Sequence, residues 1–78
     1  MMAVTIVDPE KVLFEGTARS VIFPGEAGVF EVLTAHKNLL SRLNAGKMVV
    51  DGKFLDIKGG IVKVESDTIT AIVEKAKE

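Results

Sequence analysis

Short apolar runs rich in Val, Ile and Phe recur along the chain, and turn residues separate them. The runs are AVTIV, KVLFEG, ARSVIF and GVFEVL, followed by the less regular NLLSRLNAG. The 3.6-residue spacing of a helix is not sustained over the roughly 11 residues that a helix prediction requires. The pattern therefore predicts an all-β domain, a sandwich or barrel of about eight or nine short strands.

The clearest local signal is a hairpin in KMVVDGKFLDI. Asp51-Gly52 supplies the positive φ angles that a two-residue type I′ turn needs, and this turn matches the twist of the flanking strands. We therefore predict paired strands over Lys47–Val50 and Lys53–Ile57. The following Gly59-Gly60 lets the backbone bend or lets another backbone approach closely. Two further strands, IVKVE and TITAIV, are joined across Ser66-Asp67, and the polar EKAKE is expected either to fray or to begin a helix.

The composition allows one folded domain and excludes several classes of function. The 78 residues are 47 % hydrophobic and 27 % charged, which is the balance of a folded rather than a disordered chain. There is no cysteine, so neither disulfides nor thiolate metal sites stabilise the fold, which favours a binding partner. The net charge of −1 and an aromatic content of 5 % leave no basic or stacking surface for nucleic acid.

The hydropathy and the N-terminal sequence predict where the chain resides. No apolar run approaches the roughly 18 residues that span a bilayer. MMAVTIVDPEK lacks the positively charged region followed by an apolar stretch that marks a signal peptide. We therefore expect the chain in the cytoplasm or on the cytoplasmic side of a membrane.

Gly25 and Gly28 have a spacing that also occurs in loops that cradle phosphate with backbone amides. A Walker loop needs Gly, four residues and then Gly-Lys-Ser/Thr, and it opens a helix. Here Val-Phe-Glu follows Gly28 and predicts a strand. Both glycines are therefore interpreted as turn residues.

The only histidine, His36, does not belong to a catalytic or metal motif. Nucleophilic catalysis needs a Ser or Thr beside the imidazole and a carboxylate behind it, and Glu31 and Thr34 are near His36 only in sequence. A zinc site needs three or four ligands, and one histidine without cysteine is too few. The acids are spread among lysines, as on a solvated face. We predict a structural or interface role for His36, with no catalytic residue, metal or cofactor.

One alternative is a carrier domain for lipoate or biotin, which is a β-sandwich of similar length with its modified lysine at an exposed hairpin tip. Lys58 stands between an apolar run and two glycines in DIKGG. Carrier lysines lie in Asp-Lys-Ala or Met-Lys-Met, which this stretch does not match. A small β-sandwich that binds an unknown partner is the other alternative.

The order of the elements resembles the N-terminal β-sandwich domain of the epsilon subunit of F-type ATP synthases. VTIVDPEKVLFEG is similar to that family's first strand, turn and apolar pair ending in Gly. PGEAGVFEVLTAHKNLL is similar to its Gly-x-x-Gly, apolar strand and Pro-Gly-His-Ala-Pro-Leu-Leu, and NAGKMVV to its Pro-Gly-x-Ile-x-Ile. In FLDIKGGIVKVESDTITAIVE, Gly59 and Gly60 match its Gly-Gly strand pair. The matching positions of the second motif are Gly25, Gly28, Val32, His36, Leu39 and Leu40.

The chain departs from the family pattern around His36 and in its length. Thr34-Ala35 and Lys37-Asn38 replace the prolines and the glycine that flank the family's histidine, so this turn is expected to be more extended or held by its asparagine. Members of the family commonly continue into a C-terminal helical hairpin. Here we expect a β-sandwich over residues 1–74 and a polar tail over 75–78, without the hairpin.

The resemblance implies a non-catalytic rotor subunit of the central stalk, which links the gamma subunit to the c-ring and supports proton-coupled ATP synthesis by rotation. It implies a flattened β-sandwich of about eight to ten strands, with no cofactor or small-molecule substrate, at the periphery of the cytoplasmic side of the bacterial inner membrane. The residues expected to face gamma are Asp8, His36, Leu39 and Leu40. Those expected to face the c-ring are Gly25, Glu26, Ala27, Gly28 and Val29.

Overall fold

Eight strands form in the part of the chain that the computed structural model describes, residues 1–76. This part contains no helix. It therefore has no helix that is long and apolar enough to cross a membrane. The strands are β1 (Met2–Val7), β2 (Val12–Ala18), β3 (Ser20–Gly25), β4 (Gly28–Leu33), β5 (Leu39–Leu43), β6 (Gly46–Val50), β7 (Lys53–Glu65) and β8 (Thr68–Lys75).

One long strand joins the two layers of the sandwich. On one side of the 13-residue β7, the first half pairs with β6 and the second half pairs with β5. β3 pairs with both β5 and β6, so the sheet closes back on itself, and β4 lies beyond β3. On its other side β7 pairs with β8, followed by β1 and β2. Only the β1–β8 pair among these described pairs is parallel.

The core lies between two layers that the pairing defines. We call β2, β1, β8, the second half of β7 and β5 the first layer, and the first half of β7, β6, β3 and β4 the second layer. Alternate residues of the strands point inward, and the residues between them occupy the outer faces. The first layer buries Met2, Val4, Ile6, Ile69, Ala71 and Val73, among others. The second layer buries Val21, Phe23, Val32, Met48 and Val50.

A β-bulge at Lys58 lets β7 contribute to both layers. Between Ile57 and Gly59 the register with β8 shifts by one residue, so Lys58 has no partner residue on β8. The extra residue reverses the alternation, because Ile57 is buried before the bulge and Val62 and Val64 are buried after it. A bulge also increases the local twist, which turns β7 from one layer toward the other.

Gly60, just after the bulge, brings β7 and β8 into close contact. A Cβ atom at Gly60 would collide with the carbonyl oxygen of Ile72 and would lie 2.8 Å from the Cα atom of Val73. A Cβ atom at Gly59 would lie 3.3 Å from the carbonyl oxygen of Leu43. The predicted close approach of other backbones at the two glycines is therefore confirmed.

Both hairpins that involve β7 have two-residue turns with positive φ angles. Asp51 and Gly52 have φ angles of 47° and 84°, and Ser66 and Asp67 have φ angles of 48° and 60°. Positive φ at both central residues is the signature of the type I′ turn. The predicted hairpin across Asp51-Gly52 is confirmed, and so is the junction across Ser66-Asp67.

The predicted all-β sandwich is confirmed, with differences in individual strands. Lys53–Ile57 and the IVKVE segment form one continuous strand, since the bulge carries the pairing with β8 past the two glycines. The irregular NLLSRLNAG segment contains β5. β8 continues through Lys75, which the sequence placed in the polar tail, and residues 77–78 of that tail lie outside the described part.

We expect Gly60→Ala to destabilise the domain by about 1–3 kcal/mol, because the added methyl group forces two closely packed strands apart. Gly16→Ala is a matched control, because its Cβ atom would lie at an ordinary contact distance of 3.5 Å from the Phe14 ring. Urea unfolding followed by circular dichroism measures the free energy of unfolding of both variants. Equal stabilities would contradict the expectation.

Candidate interaction surfaces

The outer face of the first layer carries a row of apolar side chains that solvent reaches. Val12 of β2 pairs with Val7 of β1, Val7 pairs with Ile72 of β8, and Ile72 pairs with Ile61 of β7. Directly paired residues share a face of the sheet and contact each other. Val12, Ile72 and Ile61 are 55 %, 53 % and 40 % exposed, and Val7 is half-buried. We call these four residues the apolar row.

Leu40 of β5 extends the apolar row. It pairs with Lys63, which is two residues from Ile61 on the same face, so Leu40 lies diagonally beside Ile61. Leu40 is 68 % exposed. The exposed Lys63 and Thr70 pair alongside the row and form part of a polar border. An apolar centre with a polar rim is the anatomy of a protein–protein interface.

The outer face of the second layer has a smaller apolar patch that a charged side chain partly covers. Val49 pairs with Ile22 and with Phe54, and Phe54 is 64 % exposed. The Nζ atom of Lys47 lies 4.3 Å from the centroid of the Phe54 ring and 3.5 Å from a carboxylate oxygen of Asp56. Because the cation covers one face of the ring, this patch is more polar than the apolar row.

Asp8 organises the turn between β1 and β2. Its Oδ1 atom accepts hydrogen bonds from the backbone N–H groups of Glu10 and Lys11 at 2.7 and 2.8 Å, and its own N–H donates to the Lys11 carbonyl at 2.9 Å. The bond from Glu10 is the main reason that the pKa of Asp8 lies below its ordinary value. Because this turn connects Val7 to Val12, Asp8 borders the end of the apolar row that lies on β1 and β2.

The segment between β4 and β5, residues 34–38, is tied to the β7–β8 turn, and we call it the His36 loop. The backbone N–H of Ala35 donates to Oδ1 of Asp67 at 2.7 Å. The backbone N–H of Ser66 donates to Oδ1 of Asn38 at 3.3 Å. The expectation that Asn38 holds the turn around His36 is confirmed, and Asp67 holds the same turn as well.

His36 and the β3–β4 turn, Gly25–Val29, line one shallow hollow of about 400 Å³. The Nδ1 atom of His36 lies 2.7 Å from the Lys37 carbonyl oxygen, and it donates there because a carbonyl oxygen only accepts. In the neutral ring this leaves Nε2 available to accept a hydrogen bond. The hollow is lined by Gly25, Ala27, Gly28, Val29, Phe30, His36, Leu39 and Ser41.

The β3–β4 turn is held by packing and by backbone hydrogen bonds. A Cβ atom at Gly25 would lie 2.7 Å from the Phe30 ring, so the glycine lets this ring pack against the backbone. The rings of Phe30 and Phe23 have their centroids 5.5 Å apart. The N–H of Glu26 donates to the Arg42 carbonyl at 3.0 Å. The turn joins two paired strands and opens no helix, which confirms the interpretation of its glycines as turn residues.

The four residues predicted to face gamma lie on two adjoining surfaces, and Leu39 and Leu40 line a second hollow together. Asp8 and Leu40 border the outer face of the first layer, whereas His36 and Leu39 line the hollow together with the β3–β4 turn. Leu39 is half-buried and packs against the core. Residues predicted for two different partners therefore meet around the hollow.

Sequence reasoning missed the apolar row, although the chain contains a signal for it. Ala71-Ile72-Val73 and Ile61-Val62 are consecutive apolar residues in strands where strict alternation would put a polar residue outward. Consecutive apolar residues indicate a strand that is covered on both faces. The outward members of these runs, Ile72 and Ile61, are half of the apolar row.

The described residues do not support a metal centre or a carrier lysine. Within residues 1–76, His, Asp and Glu side chains do not gather in groups of three that could hold a metal ion. Lys58 lies in the bulge within β7, where strand pairing continues on both sides, and not at a hairpin tip. The carrier-domain alternative is therefore wrong.

The sequence matches the family model of the β-sandwich domain of the ATP synthase delta/epsilon chain over residues 1–78. The ATP synthase epsilon chain of a Nitratiruptor species is 45 % identical over 76 residues, with 91 % of this chain and 59 % of the relative covered. The ATP synthase epsilon chain of Xanthomonas oryzae pv. oryzae is 40 % identical over 76 residues, with 91 % and 54 % covered. The chain thus spans little more than half the length of these curated relatives.

Two solved structures share the fold. A chain of the Euglena gracilis mitochondrial ATP synthase, in a structure of OSCP, F1 and the c-ring, aligns with a TM-score of 0.85 at 18 % identity, covering 97 % of this chain and 52 % of that one. A chain of the Tetrahymena thermophila mitochondrial ATP synthase, in a structure of the central stalk and c-ring, aligns with a TM-score of 0.78 at 19 % identity, covering 95 % and 63 %.

We expect Asp8→Asn to reduce stability at neutral pH and to have less effect in acid. Asn keeps an oxygen acceptor for the two backbone amides and removes the charge. Because the folded pKa of Asp8 is below the ordinary 3.8, the charge stabilises the native state above that value, and the contribution is lost as pH falls through the lowered pKa.

Urea unfolding of both proteins at a series of pH values from about 7 to about 2 measures this effect. The difference in free energy of unfolding is expected to narrow as the pH falls. A difference that is constant over the series would show that the charge of Asp8 does not contribute.

Proposed function

Because the chain belongs to the family of ATP synthase delta/epsilon-chain β-sandwich domains, we propose that it is a rotor subunit of the central stalk of an F-type ATP synthase. In this role it links the gamma subunit to the c-ring and supports proton-coupled ATP synthesis by rotation. It turns with its partners and carries out no chemistry itself. It binds no cofactor and no small-molecule substrate.

The observation that carries the proposal is the apolar row with Leu40 at its side. Contiguous exposed apolar side chains with a polar border mark sites of protein contact. Covering such side chains contributes about 25 cal/mol for each Å² of apolar surface removed from water. We therefore assign this face to the gamma subunit, with Asp8 at one end and Leu40 at the other.

We assign the contact with the c-ring to the β3–β4 turn, Gly25–Val29. Glu26, Ala27, Gly28 and Val29 are exposed, and Ala27 and Gly28 carry little or no side chain to shield their backbone from a polar partner. The packing of Phe30 against Gly25 holds the turn in one shape. The His36 loop leads directly into Leu39 and Leu40, and its Asn38 lines a second shallow hollow with Leu40 and Lys63, so we assign this loop to the edge of the gamma contact.

The proposed role is mechanical, and the structure of the domain suits it. The two-residue turns and the continuous pairing along β7 leave few segments without hydrogen bonds, so the body of the sandwich resists deformation. The domain is held through its complex at the cytoplasmic side of the bacterial inner membrane. The bacterial source of the curated relatives supports that location.

We expect Ile72→Glu and Leu40→Glu each to weaken binding to a gamma subunit from the same genome by roughly 30-fold or more. A charge placed at the centre of an apolar interface removes a contact of the kind that contributes about 2 kcal/mol and leaves an unpaired carboxylate in its place. Isothermal titration calorimetry measures the affinity, and circular dichroism checks that the variants stay folded.

Phe54→Glu is the matched control, because it places the same charge at an equally exposed position on the other layer. Its affinity for gamma is expected to stay within about twofold of the wild-type value. Equal weakening by Phe54→Glu and Ile72→Glu would contradict the assignment of the face. Failure of the wild-type chain to bind gamma at tens of micromolar would contradict the proposed role of gamma as a partner.

A further inference from the structure

The His36 loop is anchored to the β7–β8 turn on both sides of His36. Ala35, the residue before His36, donates its N–H to the carboxylate of Asp67 at 2.7 Å. Asn38, two residues after His36, accepts from the N–H of Ser66 at 3.3 Å. The two bonds run in opposite directions between side chain and backbone, so each segment supplies one side chain and one amide.

The β7–β8 turn is itself fixed to a third element. The carbonyl oxygen of Asp67 accepts a hydrogen bond from the N–H of Ala3 in β1 at 3.0 Å. Asp67 therefore joins β1 through its backbone and the His36 loop through its side chain. A loop attached to this turn is attached to the two parallel strands at the centre of the first layer.

The conformation of the loop needs such anchors. Ala35 has a φ angle of 69°, in the left-handed region that a residue with a Cβ atom adopts only at a cost in energy. The loop has no strand partner, and the remaining backbone bond within it is the one from the N–H of His36 to the carbonyl of Leu33 at 3.1 Å. Asp and Asn tolerate positive φ, which suits Asp67 to a turn position with a φ angle of 60°.

We propose that Asp67 and Asn38 are positioning residues, a two-point clasp that holds the His36 loop in the conformation it presents to the gamma subunit. The partner in this inference rests on the proposed function. The clasp orders the loop before binding, so the loop does not lose conformational freedom when the complex forms. Opening the clasp lowers affinity without removing any side chain of the apolar row.

A second clasp in the same domain provides an internal control. Asp51, in the β6–β7 turn, accepts hydrogen bonds at 3.0 Å from the backbone N–H groups of Arg19 and Ser20. Like Asp67, Asp51 has a positive φ angle, and its carboxylate binds the backbone of a neighbouring connecting segment, here the one between β2 and β3. This connection belongs to neither proposed contact surface.

The test uses three variants of the full chain. Asp67→Gly removes the carboxylate and keeps the freedom to adopt positive φ, whereas Asp67→Asn keeps both the acceptor oxygen and that freedom. Asp51→Gly removes the other clasp in the same way. Amide hydrogen exchange by NMR reports on the N–H of Ala35, and calorimetry reports the affinity for gamma.

Asp67→Gly is expected to speed exchange at Ala35 at least about tenfold and to weaken gamma binding by about fivefold to tenfold. Asp67→Asn is expected to restore both values to within about twofold of the wild type, and Asp51→Gly to leave affinity within about twofold even where it lowers stability. Wild-type affinity in Asp67→Gly, or equal losses in Asp67→Gly and Asp67→Asn, would overturn the clasp. If the wild-type chain itself does not bind gamma, the proposed function fails, and the exchange data alone then decide whether the clasp orders the loop.

Discussion

The sandwich depends on one strand changing layers without losing its hydrogen bonds. β7 pairs with β8 from Ile57 to Glu65 and, on its other edge, first with β6 and then with β5. A strand that simply continued its alternation would point the wrong residues at the core after the bend. The extra residue at Lys58 corrects the phase, and the absence of a side chain at Gly60 lets β7 and β8 stay paired through the turn of the sheet.

The sequence specifies most of the strands because their signals are local. Asp51-Gly52 and the alternating residues around it predict a hairpin whatever the rest of the chain does. The continuation of β7 past Gly59 could not be predicted in this way, because two glycines break a strand unless a neighbour holds it, and β8 is that neighbour. The same limit applies to β5, because the part of β7 that pairs with it, residues 60–64, lies far along the chain from β5.

The layout of the candidate surface depends on tertiary structure for a related reason. A resemblance to relatives assigned Asp8, His36, Leu39 and Leu40 to one flank by their order in the sequence. Leu39 and Leu40 are consecutive residues of β5, so strand alternation turns Leu39 toward the core while Leu40 faces solvent. The apolar row exists only because β2, β1, β8 and β7 lie side by side. The strand registers that align its members are set by the tertiary structure.

The parallel pairing of β1 with β8 has a consequence for how the domain is made. β1 is synthesised first, and its hairpin with β2 involves near neighbours that can pair as soon as they leave the ribosome. The other edge of β1 remains open until β8 emerges, because Ala3 lies opposite Thr68 and Val7 opposite Ile72. Until then a row of unpaired backbone groups and the inward apolar residues of β1 are exposed to other chains. The parallel pair in the first layer thus forms late in synthesis, because β1 meets its second partner only after Thr68–Lys75 has been translated.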